Sequence, residues 1–319
     1  MSVHRNVISK GTRFEPEANR YHLYISTACP WASRCLALLY LKGLEEVIGL
    51  SIVHPTWAKT RPDPADTHTG WIFKDPSDPP VSNPGGHGSF NCEGCIPDTV
   101  NGARTIRELY DIANDTGGKY TVPLLWCKKE KAIVCNESEL IMESFNSHFN
   151  DFAKHPEVDL LPAHLGEAMK EANSWIYPDI NDGVYKCGFA KSQEAYEVAF
   201  DKLFAALDRL EDLLSRQRYI CGDTLTASDI RAFVTLVRFD EVYVVYFKCN
   251  KKLIRTDYPN LYNYVKELYQ MPAIGRSVDM RHIKTHYYTS HQLLNYYAVI
   301  PKGNPDQFSS PHDRNRFST

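Results

Sequence analysis

The chain has 319 residues, 43% of them hydrophobic and 24% charged, with a net charge of −3. That is the composition of a soluble globular protein long enough for two domains, and it carries no general attraction for nucleic acid or an anionic membrane. No apolar run is long enough to span a bilayer, and the first twenty residues hold no apolar signal core, so a cytoplasmic protein is expected.

Residues 1–19 read as an extension. From Arg20, the segment RYHLYI alternates and is rich in Tyr, Leu and Ile, which predicts a strand. TACPWASRC follows, and then CLALLYLKG, with apolar residues at helical spacing up to Gly43. Pro30 therefore takes the first helical position, where its missing N–H costs nothing. Cys29 falls at or beside the N-cap, facing unpaired N–H groups and the positive end of the helix dipole. Such a setting favours thiolate and makes the thiol a good leaving group from a mixed disulfide. Ala32 stands where a CxxC loop has its second cysteine, so an external thiol must resolve any mixed disulfide on Cys29.

A second strand is predicted within Val47–His54. The next stretch, about 55–102, is dense in Pro, Gly, Asp and Ser; a loop of that length is usually functional or partly disordered. It contains NCEGC, a CxxC at Cys92 and Cys95 outside any strand–helix context. Zinc needs four ligands, and His87 supplies at most a third. No metal is expected, and the pair reads as surface thiols or an adventitious disulfide.

Ala103–Asn114 reads as a helix. TVPLLW and KAIVC read as two strands around the turn CKKEK. NESELIMESFNSHF reads as a helix with Asn136 and Glu139 in a capping box. The order βαβ, helix, ββα is that of a thioredoxin-like domain over 20–150, with 55–102 as a long insertion. A proline in the position of Pro123 is expected to be cis there, which leaves the Val122 backbone free to pair with an extended peptide. Ser138 and the N–H groups beside it suit a carboxylate, and Glu137 suits an ammonium. Together they match an α-amino acid head group such as the γ-glutamyl end of glutathione.

After Asp151 helical periodicity takes over. Ser192–Leu214 is amphipathic, and LTASDI is a helix start in which Thr226 caps and Asp229 reaches back. HIKTH (His282–His286) lacks the glutamate of zinc proteases and reads as a solvated helix face. An all-helical domain over 151–291 and a tail over 292–319 complete the chain. Nine cysteines, most lying singly in periodic segments, suit reduced thiols. The 19 tyrosines read from composition alone as packing residues.

Over Arg20–His291 the chain resembles the glutathionyl-hydroquinone reductases, the xi-class glutathione transferases. RYHLYISTACPWASR, GWIF, TVPLLW, NESELI, WIYPDINDGVYKCGFAKSQEAYE, LTASDIRAFVTLVRFDEVYVVYFKC and HIKTHYYTSH carry the likeness. The resemblance implies a thioredoxin-like domain followed by an all-helical glutathione-transferase domain, which forms the hydroquinone side of the site. It implies Cys29 as nucleophile, Tyr185 as proton donor or acceptor, and Tyr243 and Tyr287 as hydroxyls that stabilise the thiolate. Glutathione, the co-substrate, would meet Trp71, Lys119, Val122, Glu137 and Ser138. Where the family often has arginine before TVP, this chain has Lys119, a point charge in place of a bidentate fork. The family forms homodimers, and its pattern gives the Cys92/Cys95 pair no role. The rival readings are an omega-type monothiol transferase, which needs Cys29 but not Tyr185, and a non-catalytic transferase-like interaction module.

Overall fold

A computed structural model describes residues 4–304 and 308–317. The chain divides into two compact units, Met1–Val158 with Arg276–Ile300, and Asp159–Gly275 with Pro301–Thr319.

In the first unit β1 (Tyr21–Ile25), α1 (Pro30–Leu41) and β2 (Gly49–Ile52) form a unit of strand, helix and parallel strand, with Leu23 beside Leu50. Every residue of β1 is buried, so the strand is covered on both faces rather than alternating. α1 ends where Gly43 turns to φ +63°, a conformation that suits glycine because it has no Cβ. The 55–102 stretch carries only a two-residue pair, β3 (Ala58–Lys59) with β4 (Thr69–Gly70), and isolated bridges such as Val81 with Phe90. α2 spans Ile106–Ile112, shorter than the predicted helix. Thr105 is its N-cap and accepts from the Glu108 N–H, which fixes the start three residues late. β5 (Leu124–Cys127) and β6 (Ala132–Cys135) complete a sheet of order β2-β1-β5-β6, in which β5 runs antiparallel to both β1 and β6. α3 (Ser138–Glu143) continues as a π-helical stretch to His148. Its N-cap is Glu137, not Asn136. The Asn136 amide donates to the Tyr110 hydroxyl and accepts from the His4 N–H, so the helix starts one residue later than the expected cap.

Cys92 and Cys95 are not surface thiols. Both are buried in a small apolar cluster with Ile72 and Val81 beneath the long loop. Burial raises the Cys92 thiol and pushes Cys95 up to about 12. Changing both to serine places hydroxyls in apolar surroundings at about 1–3 kcal/mol each. The expected result is a lower melting temperature with turnover near wild type; a tenfold loss of turnover in the folded double variant would contradict it.

Buried histidines give the fold a pH dependence. Burial lowers His22 to about 4, and it lowers His54 and His282 as well. The unfolded chain, with histidine near ~6.5, binds more protons below that pH. Stability is therefore full above pH ~6.5 and falls as pH drops toward 4, by up to about 1.4 kcal/mol per pH unit for each such histidine. Denaturant titrations across that range should show the loss, and His22→Gln should reduce it, leaving the shares of His54 and His282.

The second unit is helical. It holds α4 (Gly166–Trp175), α5 (Gly183–Gly188), the 24-residue α6 (Gln193–Arg216), α7 (Ala227–Leu236), α8 (Val244–Tyr246), α9 (Ile254–Asp257), α10 (Pro259–Gln270) and α11 (Pro272–Gly275). Ser192 caps α6 and accepts from the Ala195 N–H. Thr226 and Asp229 form the expected capping box on α7, with the Asp229 carboxylate accepting from the Thr226 N–H at 2.8 Å. α12 (Met280–Ser290) returns to the first unit. Among the described residues no helix is long and apolar enough to cross a membrane.

Candidate active site

Cys29 is the N-cap of α1, with Pro30 at the first helical position. Its Ser26 neighbour closes the preceding turn by accepting from the Cys29 N–H at 3.1 Å. The Cys29 thiol donates to the Val122 carbonyl at 3.5 Å, and the Val122–Pro123 bond is cis. The sulfur therefore lies beside the backbone segment predicted to receive an extended peptide. Ala32, in the place of a resolving cysteine, is fully buried. Of the nine cysteines, all within the described residues, only Cys29 and Cys221 are partly exposed, and none is in a disulfide.

The 119–122 segment is held from behind. The Tyr110 hydroxyl donates to the Thr121 carbonyl at 3.2 Å and accepts from the Thr121 N–H at 3.3 Å. Arg107 lies over the Tyr120 ring at 5.2 Å. Val122 is buried and Lys119 is exposed. Glu137 is half-buried, 3.6 Å from the Arg5 guanidinium. Ser138 is 2% exposed, and its hydroxyl oxygen accepts from Arg34 Nε at 2.9 Å and also from Arg34 Nη2. Sequence reasoning missed Arg34; its position five residues beyond Cys29 on α1 was the available signal.

Trp71 is buried and stacked on His286, with ring centroids 4.5 Å apart and an interplanar angle of 29°. Trp57 meets both rings edge-on, at 5.6 Å from Trp71 and 5.4 Å from His286. His286 Nδ1 is 2.9 Å from the Pro55 carbonyl, and His282 Nε2 is 2.7 Å from the Glu93 carbonyl. Both histidines are buried, so HIKTH is not a solvated face; one nitrogen of each ring lies against a backbone carbonyl of the long loop. Tyr287, beside His286, is 1% exposed and lies in the first unit with Cys29.

Tyr185 and Tyr243 lie in the second unit, their ring centroids 6.0 Å apart. Phe247 stacks on Tyr243 at 5.5 Å and meets Tyr185 edge-on at 5.3 Å. Tyr243 is fully buried, whereas Tyr185 is partly exposed. The cluster thus offers a single reachable phenol backed by apolar rings.

The arrangement supplies a lone cysteine at a helix start, the Val122 backbone beside it, and a polar pair suited to an α-amino acid head group. Residues 28–148 match the model for the glutathione S-transferase N-terminal domain, and residues 193–267 that for its C-terminal domain. The chain is 42% identical over 302 residues to the glutathionyl-hydroquinone reductase YqjG of Escherichia coli, covering 94% of this chain and 84% of that one. The glutathione-bound structure of YqjG superposes with a TM-score of 0.85 at 40% identity, over 98% of this chain and 96% of that one. Glutathione transferase Xi 1 from Trametes versicolor gives a TM-score of 0.87 at 42% identity, over 97% and 100%. The chain belongs to the glutathionyl-hydroquinone reductase family, the xi class of the glutathione transferases.

Proposed function

We propose that the protein is a glutathione-dependent reductase of glutathionyl-hydroquinones, with glutathione as co-substrate and Cys29 as nucleophile. The Cys29 thiolate attacks the glutathione sulfur of the substrate. The sulfur–carbon bond breaks, and the ring carbon must accept a proton. A bare carbanion is a poor leaving group, so an acid lets the ring reach a keto tautomer and depart as an enolate. Tyr185, the partly exposed phenol of its cluster, takes that role. Cys29 is left as a mixed disulfide with glutathione. A second glutathione attacks it, which frees the Cys29 thiolate and yields oxidised glutathione. The substrate carbon is thereby reduced at the expense of two glutathione sulfurs.

The observation that carries this reading is the lone Cys29 at the α1 N-cap beside Val122, with buried Ala32 where a second thiol would stand. An external thiol must complete the cycle. Trp71, Lys119, Val122, Glu137 and Ser138 bind the glutathione, and Tyr243 and Tyr287 stabilise the thiolate. Nine unbridged cysteines support a reducing, cytoplasmic setting. The homodimer rests on family likeness, and light scattering after gel filtration checks it.

Incubation with glutathionyl-hydroquinone and glutathione should release free hydroquinone. Tyr185→Phe should lower that rate by about 10²–10⁴-fold. The loss should nearly vanish with a small glutathione mixed disulfide, whose thiolate leaves unaided. Equal losses on both substrates, with a shifted pH profile of Cys29 alkylation, would move Tyr185 to the thiolate. No loss on either would favour an omega-type reductase.

A further inference from the structure

Ser138 is held in an unusual way for a side chain that meets a ligand. A serine hydroxyl has two acceptor positions and one hydrogen to give. Both acceptor positions of Ser138 Oγ are taken by one guanidinium, through Arg34 Nε at 2.9 Å and Arg34 Nη2. The adjacent Cys35 thiol donates to the Ser138 carbonyl at 3.5 Å. Two consecutive residues of α1 thus grip Ser138 from the side of its own backbone and side chain. Arg34 is itself 4% exposed, so the fork lies within the protein and is not a surface pairing. No hydrogen bond donated by the Ser138 hydroxyl is present among the described residues, although the residue is 98% buried. A buried O–H without an acceptor costs free energy, and a ligand carboxylate would remove that cost.

We infer that Arg34 is a positioning residue that fixes Ser138 as a hydrogen-bond donor and so makes the site selective for thiols bearing an α-amino acid carboxylate. The inference rests on the assignment of Ser138 to glutathione made above. A free hydroxyl rotates among orientations and can accept as readily as it donates. With both acceptor positions filled by a planar fork, only donation remains. Cys29 caps the same helix from which Arg34 projects. One rigid element therefore registers the attacking sulfur and, through Ser138, the far end of the tripeptide.

The test is a double-mutant cycle on Arg34→Met and Ser138→Ala. It reads affinity for S-methylglutathione, which cannot form a disulfide, and steady-state rates with either glutathione or 2-mercaptoethanol as resolving thiol. Arg34→Met should weaken S-methylglutathione binding about tenfold, the effect of a lost hydrogen bond to a charged group. The loss should fall on KM for glutathione rather than on kcat, and the KM for 2-mercaptoethanol, which has no carboxylate, should not follow it. Adding Arg34→Met to Ser138→Ala should cost nothing further. Arg34→Lys, which keeps the charge and loses the fork, should lie between and carries the cycle if the methionine variant does not fold. Losses that multiply in the double variant, or an Arg34 effect shared by 2-mercaptoethanol, would overturn the inference while leaving Ser138 in place. Wild-type affinity in Ser138→Ala would overturn both the Ser138 assignment and the inference.

Discussion

Cys29→Ala is expected to abolish turnover, by at least about 10³-fold, while melting and far-UV circular dichroism stay near wild type. The side chain lies at the N-cap, partly exposed, and its thiol makes a long contact to the Val122 carbonyl at 3.5 Å. The substitution removes one sulfur and leaves Pro30 at the first helical position. The companion measurement is intact mass after mixing wild type with substrate and no excess glutathione. One glutathione per chain should appear and map to Cys29. The rest of the cysteine set makes this a sharp expectation. Seven of the nine are buried, and burial raises the thiol of the other partly exposed one, Cys221. An adduct mainly on Cys221, or on the buried Cys92 or Cys95, would show that the nucleophile is misassigned.

The largest expected effect on stability lies far from that sulfur. Arg314 belongs to the C-terminal segment yet is fully buried in the second unit. Its guanidinium donates to the carbonyls of Leu214, Gln217 and Arg218 at 2.5–2.7 Å, capping the end of α6. It also sits 3.8 Å from the carboxylate of Glu267, which is 3% exposed. Removing it leaves terminal helix carbonyls without a donor and a buried carboxylate short of one cation. Arg314→Ala should cost about 3–5 kcal/mol. For a protein of this size that is a drop in melting temperature of roughly 10 °C. Arg314→Lys reaches fewer carbonyls at once and should recover only part of it. A change under 2 °C in the alanine variant would mean that the tail does not hold α6. The residual Glu267 pairing with Arg218, at 2.5 Å, is what should keep the variant from unfolding outright.

The parts of this molecule that were legible in its sequence are those governed by local rules. Pro30 at the first helical position placed Cys29 at the N-cap, and Thr226 with Asp229 announced the start of α7; both depend on residues within a few positions of each other. What hydropathy misjudged were polar residues buried by distant partners. His282 and His286 look like a wet helix face until the Glu93 and Pro55 carbonyls, 189 and 231 positions away, are placed against them. Asn136 looked like a cap because its own neighbours suit one, but Tyr110, 26 positions back, claims its amide. Arg34 was invisible for the same reason: its partner Ser138 is 104 positions downstream. The Cys92/Cys95 pair was misread as exposed because its loop is polar on average, whereas Ile72 and Val81 give it a local core.

The return of α12 to the first unit has a consequence for how this chain comes into being on the ribosome. The segment that seats Trp71 is made near the end of the chain. Thr56 pairs with Thr289 at 2.9 Å, the Trp57 N–H donates to Ser290 Oγ at 3.0 Å, and Trp71 rests on His286. Between Val158 and Arg276 most of the helical unit must be translated before these partners exist. The sheet and α1 can assemble early, but the first unit stays unfinished until nearly the entire polypeptide has emerged. A nascent chain halted at residue 158 would expose the long loop to proteases at Trp57 and Trp71, and a ribosome-bound chain should gain protection there only once Ser290 has cleared the exit tunnel.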